Sequence, residues 1–159
     1  MHYQELKKAW DELTSAGAPF ELVVQEVRGA PMKVYRNAPP NVRALWLSTA
    51  AFADRTYIVY EDERLTYAEA HKQVASVANW LRAQGVKRGD RVAIAMRNFP
   101  EWMLIYWACV SLGITVVGMN AWWTAEEMSY GFKDAQPKVA FVDPERMARI
   151  AERPDMVQG

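Results

Sequence analysis

The order of apolar and polar positions along the chain predicts a mixed α/β fold. Three short apolar runs have the length of buried strands, and two stretches with helical periodicity separate them. The predicted strands are residues 91–96, 114–118 and 138–142. Because these runs lack a polar alternate face, they are typical of a parallel sheet that helices cover on both faces.

The first part of the chain is predicted to form helices and irregular segments. Apolar residues recur there at helical spacing, namely Tyr3, Leu6, Trp10 and Leu13. A second helix is predicted over residues 41–53. Residues 20–27 fit either a strand or a short helix, and the glycine and proline at residues 29–31 indicate a turn. We therefore divide the chain into a lead-in, residues 1–55, and the first part of a larger α/β domain, residues 56–159.

Two helix starts in the second part carry capping boxes. In such a box the first side chain accepts from the backbone of the third residue after it, whose own side chain reaches back. Thr66 with Glu69 and Thr124 with Glu127 have this spacing. A small hairpin is predicted just before the first box, over residues 57–66.

One predicted helix is apolar on nearly every side from Trp102 to Val110, and a helix of that kind needs cover all round. Trp102 and Trp107 are expected to belong to the core. Cys109, on the same helix, is expected to be a buried hydrophobic side chain without a catalytic role.

Composition and charge exclude several classes of protein. The chain has 159 residues, of which 51% are hydrophobic, and this content excludes general disorder. Nineteen basic and 19 acidic side chains leave no net charge, so recruitment of nucleic acid by bulk charge is not expected. One cysteine excludes an internal disulfide framework. No run is long enough for a transmembrane segment, and a cytoplasmic location is expected.

No residue is expected to be catalytic or to bind a metal, because the sequence lacks the corresponding motifs. The sequence lacks the glycine-rich phosphate loops, the nucleophile elbow of hydrolases and carboxylates at metal-binding spacing. His71 lies off the apolar stripe of its predicted helix, beside Lys72, and is expected to be a solvated surface histidine.

Trp122 and Trp123 lie between a predicted strand and the capping box at Thr124. Ligands of open α/β sheets bind in the loops beyond the carboxyl ends of the strands. The two indole rings can therefore stack on a nucleotide base or pack against a neighbouring domain. They can equally well only cover the end of the helix.

Several runs resemble, in their order and spacing, the opening of the adenylate-forming (AMP-binding) enzymes, which include acyl-CoA synthetases, luciferases and peptide-synthetase adenylation domains. The runs are Leu65–Glu69, Leu81–Ile94, Asn98–Glu101 and Met119–Glu127. The last run is similar to the fatty-acid and aromatic-acid CoA ligase branch. The resemblance covers about residues 40–150.

The resemblance implies a ligase that works in two half-reactions. A carboxylate attacks the α-phosphate of Mg-ATP to give an acyl-adenylate and pyrophosphate, and a thiol, usually that of coenzyme A, then displaces AMP. It implies ATP, Mg²⁺ and coenzyme A as cofactors of the intact enzyme. It also implies a fatty or aromatic carboxylic acid as the substrate, and the remainder of the ligase chain as the partner.

The family's phosphate loop, its acidic magnesium position, its ribose-binding Asp and its carboxyl-terminal Lys have no counterpart in these 159 residues. We therefore expect an N-terminal fragment of a ligase, which lacks part of the family domain and is inactive by itself. The alternative is a stand-alone nucleotide- or coenzyme A-binding or interaction module without catalysis.

One binding assignment follows from the resemblance. In the acetyl-CoA synthetase branch, the loop equivalent to Asn120, Ala121 and Trp122 lies near the nucleotide of coenzyme A. These three residues are therefore the candidate cofactor-binding residues. The sequence differs from that branch because Ala121 and Trp122 stand where the branch has glycines.

Overall fold

The computed structural model describes residues 2–153 and 155. Its internal contacts divide the chain into two compact units, residues 1–41 and 42–159. This division lies ahead of residue 56, where the sequence analysis places the start of the α/β domain.

The first unit contains one helix and one hairpin. The helix α1 spans Tyr3–Thr14, as predicted, and its apolar stripe is exposed. The strands β1 (Leu22–Val27) and β2 (Ala30–Tyr35) pair antiparallel, so residues 20–27 contain a strand rather than a helix. The predicted turn at residues 29–31 is present but displaced, because the chain reverses at Arg28 and Gly29, and Ala30 and Pro31 already belong to β2. Arg28 and Gly29 both have a positive φ, which suits the twist of a two-residue hairpin turn.

The second unit begins with a helix that tightens at its end. Helix α2 spans Val42–Ser48, and a 3-10 helix follows at Thr49–Phe52, where one continuous helix was predicted. The hydroxyl groups of Ser48 and Thr49 donate to the carbonyls of Leu45 and Trp46, three residues back. Such side-chain bonds compete with the regular helical pattern, which explains the change of helix type.

The predicted hairpin and the first capping box are confirmed. Strands β3 (Thr56–Tyr60) and β4 (Glu63–Thr66) pair antiparallel. Helix α3 (Tyr67–Ala83) then begins at the box. The Glu69 backbone N–H donates to the Thr66 hydroxyl at 3.2 Å, and the Thr66 backbone N–H donates to the Glu69 carboxylate at 2.8 Å.

The remaining elements alternate between strand and helix. They are β5 (Arg91–Ala95), α4 (Pro100–Leu112), β6 (Thr115–Gly118), α5 (Ala125–Ala135), β7 (Val139–Val142) and α6 (Pro144–Glu152). The three strands form a parallel sheet in the order β6-β5-β7, and this confirms the predicted architecture. The central strand β5 thus has a parallel partner on each side.

Helices cover both faces of this sheet, as the sequence predicts. On one face Val92 and Ile94 pack in a cluster with side chains of α3 and α4. On the other face Ala93 and Ala95 pack with side chains of α5 and α6. Because alternate side chains of β5 enter two cores, the strand needs apolar residues at both faces.

The apolar helix α4 is less enclosed than its sequence predicts. Leu104, Ile105, Ala108 and Cys109 are buried. Trp102 and Trp107 pack against the core and remain partly buried, whereas Met103 is 39% exposed. The predicted cover on all sides is therefore incomplete among the described residues. None of the helices in that part of the chain is long and apolar enough to cross a bilayer.

The prediction of a solvated His71 is wrong. The buried Trp46 lies between the imidazole of His71, with ring centroids 4.1 Å apart, and the indole of Trp107, at 4.9 Å. The hydroxyl of Thr49 lies 3.0 Å from Nε2 of His71. The sequence signal failed because the aromatic partner of His71 comes from α2, which is distant in the sequence.

Candidate functional site

Three loops meet at the carboxyl edge of the parallel sheet, where open α/β sheets bind their ligands. The loop after β5 contains Arg97, the loop after β6 contains residues 119–124, and Asp143 follows β7. An open cleft of about 550 Å³ lies beside the first and third of these loops and is lined in part by Arg97, Phe99 and Asp143.

Asp143 joins the loop after β5 to the start of α6. Its carboxylate accepts from the backbone N–H of Arg146 at 2.9 Å, which caps the helix, and from the backbone N–H of Arg97 at 3.0 Å. Burial alone would raise the pKa of this carboxyl. The two backbone donors and the guanidinium of Arg146 outweigh burial and hold the pKa below its ordinary value.

Arg146 extends this connection to the loop after β6. Its side chain is 1% exposed, and one guanidinium nitrogen lies 3.1 Å from the Asp143 carboxylate. Its Nε donates to the carbonyl of Ala121 at 2.7 Å, and Nη2 donates to the same oxygen. Asp143 and Arg146 therefore fix all three loops relative to one another.

A second arginine of α6 holds the same loop. Nη1 of Arg149 donates to the carbonyls of Ala121, at 3.1 Å, and of Trp123. Its Nη2 donates to the Glu145 carboxylate at 2.7 Å. The carbonyl of Ala121 thus accepts from two guanidinium groups, and its hydrogen-bonding capacity is used within the protein.

The two tryptophans of this loop have different surroundings. Trp123 is partly buried, packs in the α5–α6 core, and lies directly over Gly131 of α5. Trp122 is 68% exposed, and its backbone N–H donates to the side-chain oxygen of Asn120 at 2.9 Å. The reading that the indoles only cover the helix end therefore describes Trp123 and not Trp122.

Trp122 has a cationic neighbour that the sequence analysis missed. The guanidinium carbon of Arg97 lies 4.3 Å from the centroid of the Trp122 ring, which is a cation–π contact. Of the three candidate residues, the structure thus shows an exposed Asn120 that fixes the turn, an Ala121 held by arginines, and an exposed Trp122 stacked on Arg97.

The sequence carried a weak signal for these additional residues. Arg97 directly follows a predicted strand, and Asp143 precedes Pro144 at a helix start, with Arg146 three residues on. Neither pattern shows that the arginine side chains reach loops of other strands, because that contact depends on the strand order.

The one cysteine of the chain does not supply a nucleophile. Cys109 is fully buried in α4, as predicted, and burial raises the pKa of its thiol to about 12, so the reactive thiolate does not form at neutral pH. Across residues 2–153 and 155, no group of three or more His, Cys, Asp or Glu side chains could hold a metal ion.

The chain is similar to AMP-binding enzymes and CoA ligases. A family model described as AMP-binding enzyme matches residues 45–158. The 2-succinylbenzoate–CoA ligase of Bacillus thuringiensis subsp. konkukian (strain 97-27) is 37% identical over 93 residues, which are 57% of this chain and 19% of that protein. The long-chain-fatty-acid–CoA ligase of Bacillus subtilis (strain 168) is 33% identical over 92 residues, 58% of this chain and 16% of that protein.

Solved structures agree with these relatives. A Mycobacterium tuberculosis fatty acyl CoA synthetase matches with a TM-score of 0.67 and 27% identity over 75% of this chain and 24% of that chain. A benzoate CoA ligase from Burkholderia xenovorans LB400 has the same fold in this region, with a TM-score of 0.66 and 16% identity over 70% of this chain and 23% of that chain. The chain spans about a fifth of the length of the curated relatives that it matches.

Proposed function

The chain belongs to the AMP-binding enzyme family, and on that premise we propose that it forms part of an ATP-dependent carboxylic acid–CoA ligase. The intact enzyme would join a carboxylic acid to AMP with release of pyrophosphate and then transfer the acyl group to coenzyme A. The names of the relatives support this activity, since they are ligases of a succinylbenzoate and of long-chain fatty acids.

The observation that carries the proposal is the convergence of three loops at the carboxyl edge of the sheet. Arg146 and Asp143 hold the loop after β6 in place, and Trp122 stays exposed on that loop. We propose that Asn120, Ala121 and Trp122 form a surface for the nucleotide of coenzyme A. Trp122 would stack on the base, while Asn120 and the arginines keep its backbone fixed.

We propose that this chain contributes binding surface and does not catalyse the reaction by itself. Phosphoryl chemistry needs preorganised cationic and N–H groups around the reacting phosphates. From the resemblance we expect the phosphate loop and the magnesium position, which supply these groups in the family, to lie outside these 159 residues. ATP, Mg²⁺ and the carboxylic acid, fatty or aromatic, would therefore bind mainly to other parts of the ligase.

The ligase activity is tested with the longest reading frame that contains this sequence. Its product should catalyse ATP–pyrophosphate exchange that depends on a fatty or aromatic acid, and it should form the acyl-CoA thioester. Trp122→Ala should raise the KM for coenzyme A about tenfold, which corresponds to the loss of one base–aromatic stack. The absence of exchange with every acid of both classes would overturn the proposal.

The 159-residue chain provides a separate test. Incubated with Mg-ATP, coenzyme A and the same acids, it should release no pyrophosphate. Calorimetric titration with coenzyme A should show weak binding that Trp122→Ala removes. Pyrophosphate release by this chain would show that its predicted inactivity is wrong.

A further inference from the structure

Arg97 differs from the other arginines at the carboxyl edge of the sheet. Arg146 and Arg149 use their guanidinium donors on carbonyls and carboxylates of the protein. The structure shows no hydrogen bond or ion pair between the exposed guanidinium of Arg97 and any residue in 2–153 or 155. The guanidinium instead makes a cation–π contact with Trp122, with its carbon 4.3 Å from the ring centroid.

The Arg97 guanidinium and the Trp122 indole offer two complementary binding elements. The guanidinium lies over one face of the indole, so the exposed ring presents its other face and its edges to solvent. Indole faces stack on nucleotide bases without strong base preference. A guanidinium with unused donors binds phosphate oxygens through charge-assisted, often bidentate hydrogen bonds.

Both residues are held in place by their backbones. The backbone N–H of Arg97 donates to Asp143, and that of Trp122 donates to Asn120. Among the described residues, the charges of the adjacent cleft are paired with one another except at Arg97. The cleft beside Arg97 is lined by two arginines, Arg97 and Arg146, and by two carboxylates, Asp143 and Glu145. Arg146 is paired with both carboxylates, so Arg97 is the cation that remains for a ligand.

We propose that Arg97 and Trp122 together recognise a phosphorylated nucleotide, with the base stacked on Trp122 and a phosphate bound by Arg97. The inference rests on the proposed function because Trp122 belongs to the proposed coenzyme A surface. It adds Arg97 as the residue that binds the phosphate. Among the nucleotides of the proposed reaction, coenzyme A with its 3′-phosphate and ATP are the two that the experiment compares.

The experiment measures the affinity of the 159-residue chain for coenzyme A, 3′-dephospho-coenzyme A and Mg-ATP by calorimetry. Coenzyme A should bind about tenfold more tightly than the dephosphorylated form, because one charge-assisted contact is lost without the phosphate. Arg97→Gln should remove this difference, whereas Arg97→Lys, which keeps the charge, should retain part of it. Arg82→Gln, an exposed arginine on α3, serves as the matched control and should change neither affinity.

The outcomes separate this inference from the proposed function. If coenzyme A binds in a Trp122-dependent way and Arg97→Gln leaves the preference for the 3′-phosphate intact, the role of Arg97 is overturned and the coenzyme A site stands. If only Mg-ATP binds, and with the same dependence on Arg97 and Trp122, the nucleotide site stands and the coenzyme A assignment fails. If wild-type chain with native circular dichroism binds none of the three, the inference is overturned, while pyrophosphate exchange still tests the ligase activity.

Discussion

The carboxylate of Asp143 and the guanidinium of Arg146 form an ion pair at 3.1 Å in which the side chains are only 5% and 1% exposed. Each partner also binds a loop that the other does not contact. Asp143 accepts from the backbone of Arg97, and Arg146 donates to the carbonyl of Ala121. Removal of either residue would therefore leave the other buried and would release one loop of the site.

Arg146→Met is expected to lower the free energy of unfolding by about 3–5 kcal/mol, because it leaves the Asp143 carboxylate buried without its cation. Urea unfolding followed by circular dichroism measures the change. Lys133→Met is the control, since it breaks the exposed ion pair with Asp155, which is worth about 1 kcal/mol or less. Equal losses in the two variants would contradict the structural role assigned to Arg146.

Asp143 should also make the fold sensitive to acid. Because its pKa in the folded chain lies below the ordinary value of 3.8, ionised Asp143 stabilises the fold at higher pH. This stabilisation is lost as the pH falls through the lower, folded pKa. Asp143→Asn should therefore be less stable than wild type at neutral pH, and the difference should shrink as the solution is acidified.

Unfolding free energies of wild type and Asp143→Asn, measured from about pH 6 to pH 2, give this comparison. The difference between the two proteins isolates Asp143 from other carboxyls with lowered pKa values, such as Glu69 and Glu127. A difference that does not change with pH would contradict the assignment.

Gly131→Ala should destabilise the chain although alanine is the better helix former. A Cβ at residue 131 would lie 2.7 Å from the Trp123 ring, so the indole must move. Overpacking of this kind costs about 1–3 kcal/mol. Thermal unfolding of Gly131→Ala, Trp123→Leu and the double variant measures the coupling. The smaller leucine should reverse the effect of the alanine, and strictly additive losses would show that the two residues do not clash.

Thr124→Ala should cost about 1 kcal/mol, because it removes the side chain that accepts from the backbone N–H of Glu127 at the start of α5. Thr124→Ser keeps the hydroxyl and should lose much less. Chemical denaturation of the two variants provides the test. A loss in Thr124→Ser as large as that in Thr124→Ala would assign the effect to the methyl group instead of the cap.

His71 should titrate below its ordinary pKa of 6.5, because its partial burial disfavours the charged imidazolium. The stability that depends on neutral His71 is present above pH 6.5 and is lost as the pH falls through the lower, folded pKa. Proton NMR titration, with His2→Gln used to assign the two imidazoles, measures the value. A pKa at or above 6.5 would contradict the burial seen beside Trp46.

The sequence predicted the elements whose signals are local. The capping boxes at Thr66 and Thr124 depend on residues three positions apart. The strands β5, β6 and β7 are each recognisable from their own apolar residues. The site was predicted only in part. Trp122 could be placed on a loop after a strand, whereas its contact with Arg97 arises because β5 and β6 are neighbours in the sheet.

The wrong sequence predictions also concern contacts between residues that are distant in the sequence. His71 was expected in solvent because its stacking partner, Trp46, lies on another helix. The strand β2 was missed because Pro31 suggested a turn, although a proline is tolerated in a two-stranded hairpin, where each strand is an edge. In both cases tertiary contacts decided the outcome.

The arrangement of the parallel sheet also determines when it can form during synthesis. Arg91 of β5 pairs with Thr115 of β6, and Val92 of β5 pairs with Val139 of β7. Both partner strands are therefore distant from β5 in the sequence. Strands that are far apart in the sequence pair slowly, because the entropic cost of closing the loop between them comes before the gain from the contacts. During synthesis β5 therefore emerges before both of its partners, and until they emerge its apolar side chains and unpaired edges are exposed to aggregation.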